Sequence, residues 1–200
     1  MKTQQHWYHN LWLWSILYFS LGFVNILFAL LGLISFSLPL LFAVFGGNKL
    51  FCNRYCDRGQ FLRFFGGKLR LSQRHDIPDW LHSNLFRYGF MIFFFAMFGG
   101  VLYTSWLVYS ETNSLKEIVT LFWCIEFPWS WASTALVSPA IVQFAFGLYS
   151  LMLTSELIAL AVMLYYRPRA WCTFCPMGTL TQSICKRKLS ISDKQKKTPA

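Results

Sequence analysis

Of the 200 residues, 56% are hydrophobic and 20% aromatic, while only 13% are charged, against about 25% in a water-soluble domain. That deficit excludes an ordinary soluble domain. The net charge of +10 could suggest nucleic acid, but its placement argues otherwise: eight of the 18 basic residues lie between Lys49 and Arg87 and eight between Arg167 and Lys197, with no recognition motif beside them.

The N-terminal segment holds His6 and His9 in HWYH, read as interfacial tail residues, and Trp7, Tyr8, Trp12 and Trp14, whose rings favour a membrane interface. No small-residue cleavage site follows, and the apolar run is too long for a signal core, so the first helix is expected to stay in the mature protein. No charge occurs between Asn10 and Asn48, and residues Leu11 to Ile34 are long enough to span a bilayer as a helix. The next stretch, SFSLPLLFAVFGG (35–47), is too short for a span and carries Pro39. It reads as a re-entrant segment returning to the first cysteine motif, residues 52–62, which holds Cys52 and Cys56.

Gln60 to Phe65 reads as a short amphipathic helix. The basic loop RHDIPDWLH, with His75 and His82, reads as a docking surface. Leu85 to Tyr109 forms the second span. Ile118 to Pro139, broken by Glu126, Pro128 and Pro139, reads as a short helix at the external surface, with Cys124 a buried small hydrophobe. Ile141 to Tyr166 forms the third span, with Glu156 as its one charge. An acid mid-span faces an interior or a cavity, so Glu156 is either a quinol-binding or proton-relay group or a carboxyl bonded to neighbouring hydroxyls, with Glu126 a weaker companion. The second cysteine motif, residues 172–182, holds Cys172 and Cys175. An amphipathic helix over Thr179 to Lys188 follows, with Cys185 a packed thiol. Residues 190–200 read as a disordered basic tail.

The expected architecture is therefore an all-α integral membrane protein. One domain, residues 1–189, has three transmembrane helices plus re-entrant and interfacial pieces, and both cysteine turns converge at one face. Clustered Lys and Arg mark that face as cytoplasmic. Three spans then put the N-terminus outside and the C-terminus inside, in the cell membrane.

The two cysteine pairs share one local pattern: glycine follows each second cysteine by three residues (Gly59, Gly178), and a large apolar residue by five (Phe61, Leu180). In a reducing compartment, close cysteine pairs point to metal binding or redox chemistry rather than structural disulfides. Four thiolates with Pro176 directly after the last suit an iron–sulfur cluster. Glycine would admit close backbone approach, and Arg54, Arg58, Arg167 and Arg169 would offset the anionic charge. A four-cysteine zinc site uses similar spacings, and a dithiol redox pair is the third reading.

GNKLFCNRYCDRGQFL and RPRAWCTFCPMGTLTQ resemble the paired motifs of membrane-bound 4Fe-4S proteins. These are similar to the polyferredoxin-like subunits of nitrate- and nitrous-oxide-reductase systems and to copper-oxidase accessory proteins. The matching positions are Gly47, Cys52, Cys56 and Gly59, then Cys172, Cys175, Pro176 and Gly178. The resemblance implies one [4Fe-4S] cluster relaying electrons from a soluble or quinol donor to a partner redox protein, ferredoxin-like or a flavoprotein. The chain would be an electron-transfer component rather than a stand-alone enzyme, with lipid but no nucleic acid as a further partner. Asp57 stands where such families place proline, and the soluble ferredoxin modules of many relatives are absent. The alternatives are a quinone-linked thiol–disulfide oxidoreductase and a zinc-stapled accessory subunit.

Overall fold

The structure, a computed structural model, describes residues 10–46, 51–73, 75–122, 124–129 and 137–197. The chain is mostly helical: α1 Trp12–Val24, α2 Leu31–Gly46, α3 Asp57–Arg63, α4 Asp79–His82, α5 Asn84–Tyr109, α6 Pro139–Tyr165 and α7 Pro176–Lys197. One small hairpin, β1 Ile118–Leu121 against antiparallel β2 Ile125–Pro128, interrupts the order.

Helix α6 is the axis of the fold. Its Ala145, Phe146, Leu148 and Ala159 are fully enclosed, and α5, the 3-10 segment Ile26–Leu30 and β1 pack on it. At the hairpin end, Val119, Val142, Phe146 and Tyr149 pack with Ile26 and Ala29. At the other end, Leu62, Leu81, Met163, Trp171 and Phe174 form a second core. The edge-to-face pairs Phe90–Trp171 (5.7 Å) and Phe90–Phe174 (5.6 Å) anchor the start of α5 there. Pairs of this kind add about 0.5–1.5 kcal/mol each beyond the area they bury.

The first apolar stretch is not one helix. Asn25 adopts an extended backbone (φ −145°, ψ 119°) and ends α1, and its side chain accepts from the Leu27 N–H at 3.0 Å. Asparagine competes with helical hydrogen bonds through its own side chain and favours caps, so the polar residue inside Leu11–Ile34 divides it. The chain then folds back. Tyr18 donates to the Ala29 carbonyl at 3.1 Å, and a Cβ on Gly32 would stand 2.5 Å from the Tyr18 hydroxyl. Only glycine permits that approach of α1 to α2.

The expected re-entrant piece is part of α2, which runs through Pro39 to Gly46. A proline removes one N–H from the helical ladder, leaving the Ser35 carbonyl without its usual donor, but it does not end this helix. The long apolar helix is Ile26–Gly46 rather than 11–34, and with Asn84–Tyr109 and Pro139–Tyr165 it gives, among the described residues, three helices long and apolar enough to cross a membrane. Because α1 begins at the cysteine end, with Trp12 stacked on Phe64 at 4.2 Å, the described chain enters and leaves at the same end. Three spans had required opposite ends.

Two further expectations change. Ile118–Pro128 is a hairpin rather than a helix: its β-branched and aromatic residues suit strands, and Phe122 takes the left-handed turn conformation (φ 49°). Cys124 in that turn is exposed rather than buried. The tail expected to be disordered from Ser190 continues α7 to Lys197. His6, His9, Trp7, Tyr8 and Gly47 lie outside the described residues.

Candidate metal centre

Each cysteine pair is presented by a tight turn that runs into a helix. Phe51–Tyr55 forms a π-helical turn closed by Cys56 N–H to the Phe51 carbonyl at 2.9 Å, and the Gln60 N–H then bonds the Cys56 carbonyl at 3.0 Å. In the second motif Ala170–Thr173 is 3-10, the Cys175 N–H bonds the Trp171 carbonyl at 3.0 Å, and the Thr179 N–H bonds the Cys175 carbonyl at 2.9 Å. Cys56 and Cys175 therefore occupy the same place, the residue just before the first turn of α3 or α7. A helix start directs free N–H groups and positive potential at such a side chain, which favours a thiolate.

Gly59 and Gly178 sit inside those first turns. The Gly59 N–H faces the Cys56 sulfur and favours its anion, although it falls short of a full capping hydrogen bond. The Gly178 N–H does the same for Cys175. A Cβ on either glycine would meet its neighbours at ordinary distances of 3.5 Å or more, so these glycines are not demanded by contacts within the chain. What a Cβ there would occupy is the space beside the sulfurs.

The motifs touch directly. Arg169 donates to the Cys52 carbonyl at 3.1 Å, and Thr181 of α7 stands 3.7 Å from the Cys52 sulfur. Cys52, Cys56, Cys172 and Cys175 all line one cavity of about 150 Å³, roughly ten times the ~10–15 Å³ that admits a single water. Among the described residues no three His, Cys, Asp or Glu side chains converge tightly enough to grip one metal ion. The four cysteines instead share the wall of one void, whereas one zinc would need each sulfur at about 2.3 Å.

Electrostatics disfavour bare thiolates at Cys56 and Cys175. Burial pushes the Cys56 thiol well above the ordinary range, with Asp57 adding to the effect and the Gly59 N–H opposing it. Burial likewise pushes Cys175 up to about 11, against the Gly178 N–H and Arg58. Both side chains are half-buried and line the cavity. A cationic metal held by these cysteines would supply the missing compensation in place of the protons.

Of the four expected cations, Arg58 and Arg169 line the cavity. The Arg54 side chain is exposed, and its carbonyl takes the Gln60 amide. Arg167 is turned outward to pair with Asp76. Asp57, the residue in place of proline, lines the cavity and accepts from Ser15 of α1 at 3.4 Å. Cys185 is buried outside the cavity. His75 packs on Tyr165 with rings 5.3 Å apart. Glu126 is exposed on β2 and lines a cleft alongside Ser150 and Leu151 of α6, whereas Glu156 is buried further along the same helix. Sequence reasoning missed Ser15, Met152, Ser155 and Thr181, which surround the site; nothing in their local spacing singles them out.

A family model described as a 4Fe-4S binding domain matches residues 28–74 and 151–192. The match supports an iron–sulfur protein. Both cysteine turns fall inside the two matched blocks, as do Arg58, Glu156 and all of α2. No curated protein and no solved structure matches the chain. The residues present fit an iron–sulfur core: four cysteines on the wall of a multi-atom void, helix starts behind two of them, and two arginines on the same wall.

Proposed function

We propose that this chain is a membrane electron carrier that binds one [4Fe-4S] cluster through Cys52, Cys56, Cys172 and Cys175. The observation that carries this reading is that all four cysteines line one cavity, drawn from motifs more than a hundred residues apart. When bound, a cluster of this type supplies reversible one-electron chemistry. The protein's part is to hold four thiolates in place and compensate their charge with Arg58, Arg169 and the starts of α3 and α7. It also keeps bulk water from the inner wall with Phe51, Phe94 and Trp171.

Membrane insertion is supported by the long apolar helices and by the outer face of α5, where Ile92, Tyr103 and Trp106 are each more than 60% exposed. A contiguous apolar face of that length is costly in water and ordinary in lipid. With Lys and Arg concentrated at the cysteine end, we place that end in the cytoplasm. The start of α1 belongs on the same side.

For the donor, the structure favours a membrane-dissolved quinol. A cleft of about 510 Å³ between α1 and α2, walled by Trp14, Ile34, Leu38 and Phe42, shares Ser35, Phe51 and Asp57 with the cysteine cavity. An apolar carrier entering from the bilayer would bring its head group to Asp57 and Ser15 beside the sulfurs. We place a partner redox protein at the cytoplasmic face as acceptor. A thiol–disulfide relay needs a cysteine pair at the far end, and Cys124 is the one cysteine at the hairpin.

Metal analysis of detergent-purified protein tests the core of this reading: about four iron per chain and a brown colour are expected for full thiolate ligation. Colourless protein holding one zinc would end it. Labelling of Asn113→Cys, in the exposed turn after α5, by an impermeant maleimide on intact cells tests the orientation, and labelling from the cytoplasmic side alone would reverse it.

A further inference from the structure

Glu156 is the group that electron carriage leaves unexplained. Its side chain is 5% exposed, and neither carboxylate oxygen has a hydrogen-bond donor. Its ion-pair partner is Arg58, whose Nε stands 3.3 Å from Oε2. The terminal nitrogens of Arg58 are spoken for by Ser155 Oγ at 2.8 Å and by the Met152 carbonyl and sulfur at 3.4 and 3.0 Å. The same guanidinium lines the cysteine cavity. One cation thus stands between the thiolates on one side and an otherwise unsolvated carboxylate on the other.

We propose that Glu156 takes up one proton when the cysteine site gains an electron and releases it when the electron leaves, with Arg58 as the shared cation that couples the two events. This rests on reading the site as a one-electron iron–sulfur centre. A carboxylate buried without donors depends on its neighbouring cation to remain charged. Negative charge added on the sulfur side competes for the same guanidinium, and in a poorly solvated interior that competition is weakly screened. Glu156 then becomes the place where the added charge is neutralised.

The step balances as one electron passing from the reductant to the cysteine site and one proton passing from bulk water to a Glu156 oxygen, both reversed on oxidation. Among the described residues, the charged groups acting on Glu156 are Arg58 and Asp57, both from α3. Tyr18 of α1 and Cys175 act on Arg58. The other elements packed on α6, namely α5, α2, β1, Ile26–Leu30 and Ala170–Thr173, contribute no charged partner to it among the described residues.

The test is a potentiometric titration of the iron-loaded full chain in detergent, followed by electron paramagnetic resonance across neutral pH. In the wild type the potential should fall by about 59 mV per pH unit over part of that range, the value for one proton per electron. In Glu156→Gln the slope should vanish. The reduced-minus-oxidised infrared spectrum of the wild type should show a protonated carboxyl band, a readout that stands even if the variant folds poorly. A flat wild-type potential with an intact resonance signal overturns the proposal and leaves the cluster reading standing. A slope that survives in Glu156→Gln and vanishes in Asp57→Asn assigns the proton to Asp57 and overturns it as well. A chain with no iron signal ends both readings.

Discussion

Arg169, three residues before Cys172, reaches across to the carbonyl of Cys52 and donates to it at 3.1 Å. The second motif thereby holds the backbone of the first, so the two turns form one site rather than two adjacent ones. The Thr181–Cys52 contact at 3.7 Å reinforces the same junction.

Arg169→Ala should loosen that junction without touching a sulfur. Changes to groups that orient metal ligands cost about 10–100-fold in affinity, and the wild-type arginine should outlast the variant by a comparable factor when iron loss to a chelator is timed. Equal rates would show that the hydrogen bond does not hold the site together. Arg169→Lys should rescue only in part, because the planar fork is lost.

Serine at Cys52, Cys56, Cys172 or Cys175 should remove or sharply reduce bound iron, since each sulfur lines the cavity. Cys124→Ser and Cys185→Ser should leave iron content unchanged, because one is exposed in the hairpin turn and the other is buried away from the cavity. Iron measured per chain across the six variants separates the two groups.

Gly32→Ala should destabilise the fold whether or not metal is present. The added carbon would lie 2.5 Å from the Tyr18 hydroxyl, so α1 and α2 must part or the tyrosine must leave the Ala29 carbonyl. Overpacking of this kind costs about 1–3 kcal/mol. A lower thermal midpoint in detergent is the expected readout. Gly178→Ala should have little effect on that midpoint, since its Cβ meets the Cys172 carbonyl at 3.6 Å.

Alkylation of the metal-free chain should report the raised Cys175 thiol. With its pKa pushed up to about 11, the reactive thiolate is scarce at neutral pH and grows about tenfold per pH unit until that value is reached. Mass spectrometry of Cys175 labelling against pH should follow this rise without a plateau near the ordinary thiol range. Iron loading should suppress the reaction throughout.

Parts of this protein were legible before any coordinates. The apolar runs at 85–109 and 141–166 correspond closely to α5 and α6 because a long uninterrupted apolar stretch has few alternatives to a helix. The spacing of Gly59 and Gly178 behind their cysteines marked two turns of one kind. Other features misled. Pro39 looked like a break, yet α2 passes through it, whereas Asn25 looked incidental and ends α1. The difference is that proline removes a single backbone donor, while asparagine supplies a competing acceptor that closes a cap. Ile118–Pro128 carried a helix-like density of apolar residues, but it folds as a hairpin whose first strand packs on α6.

By itself the amino-acid order determined the apolar character of the chain, the two cysteine turns and the concentration of cations beside them, because these depend on neighbours along the backbone. Which cations face the sulfurs was decided only by the tertiary structure: Arg58 and Arg169 do, while Arg54 and Arg167 turn away. The same is true of the pairing of Arg58 with Glu156, nearly a hundred residues distant. Charge interactions in a poorly solvated interior depend on distance and burial, and both are set when α6 packs against α3.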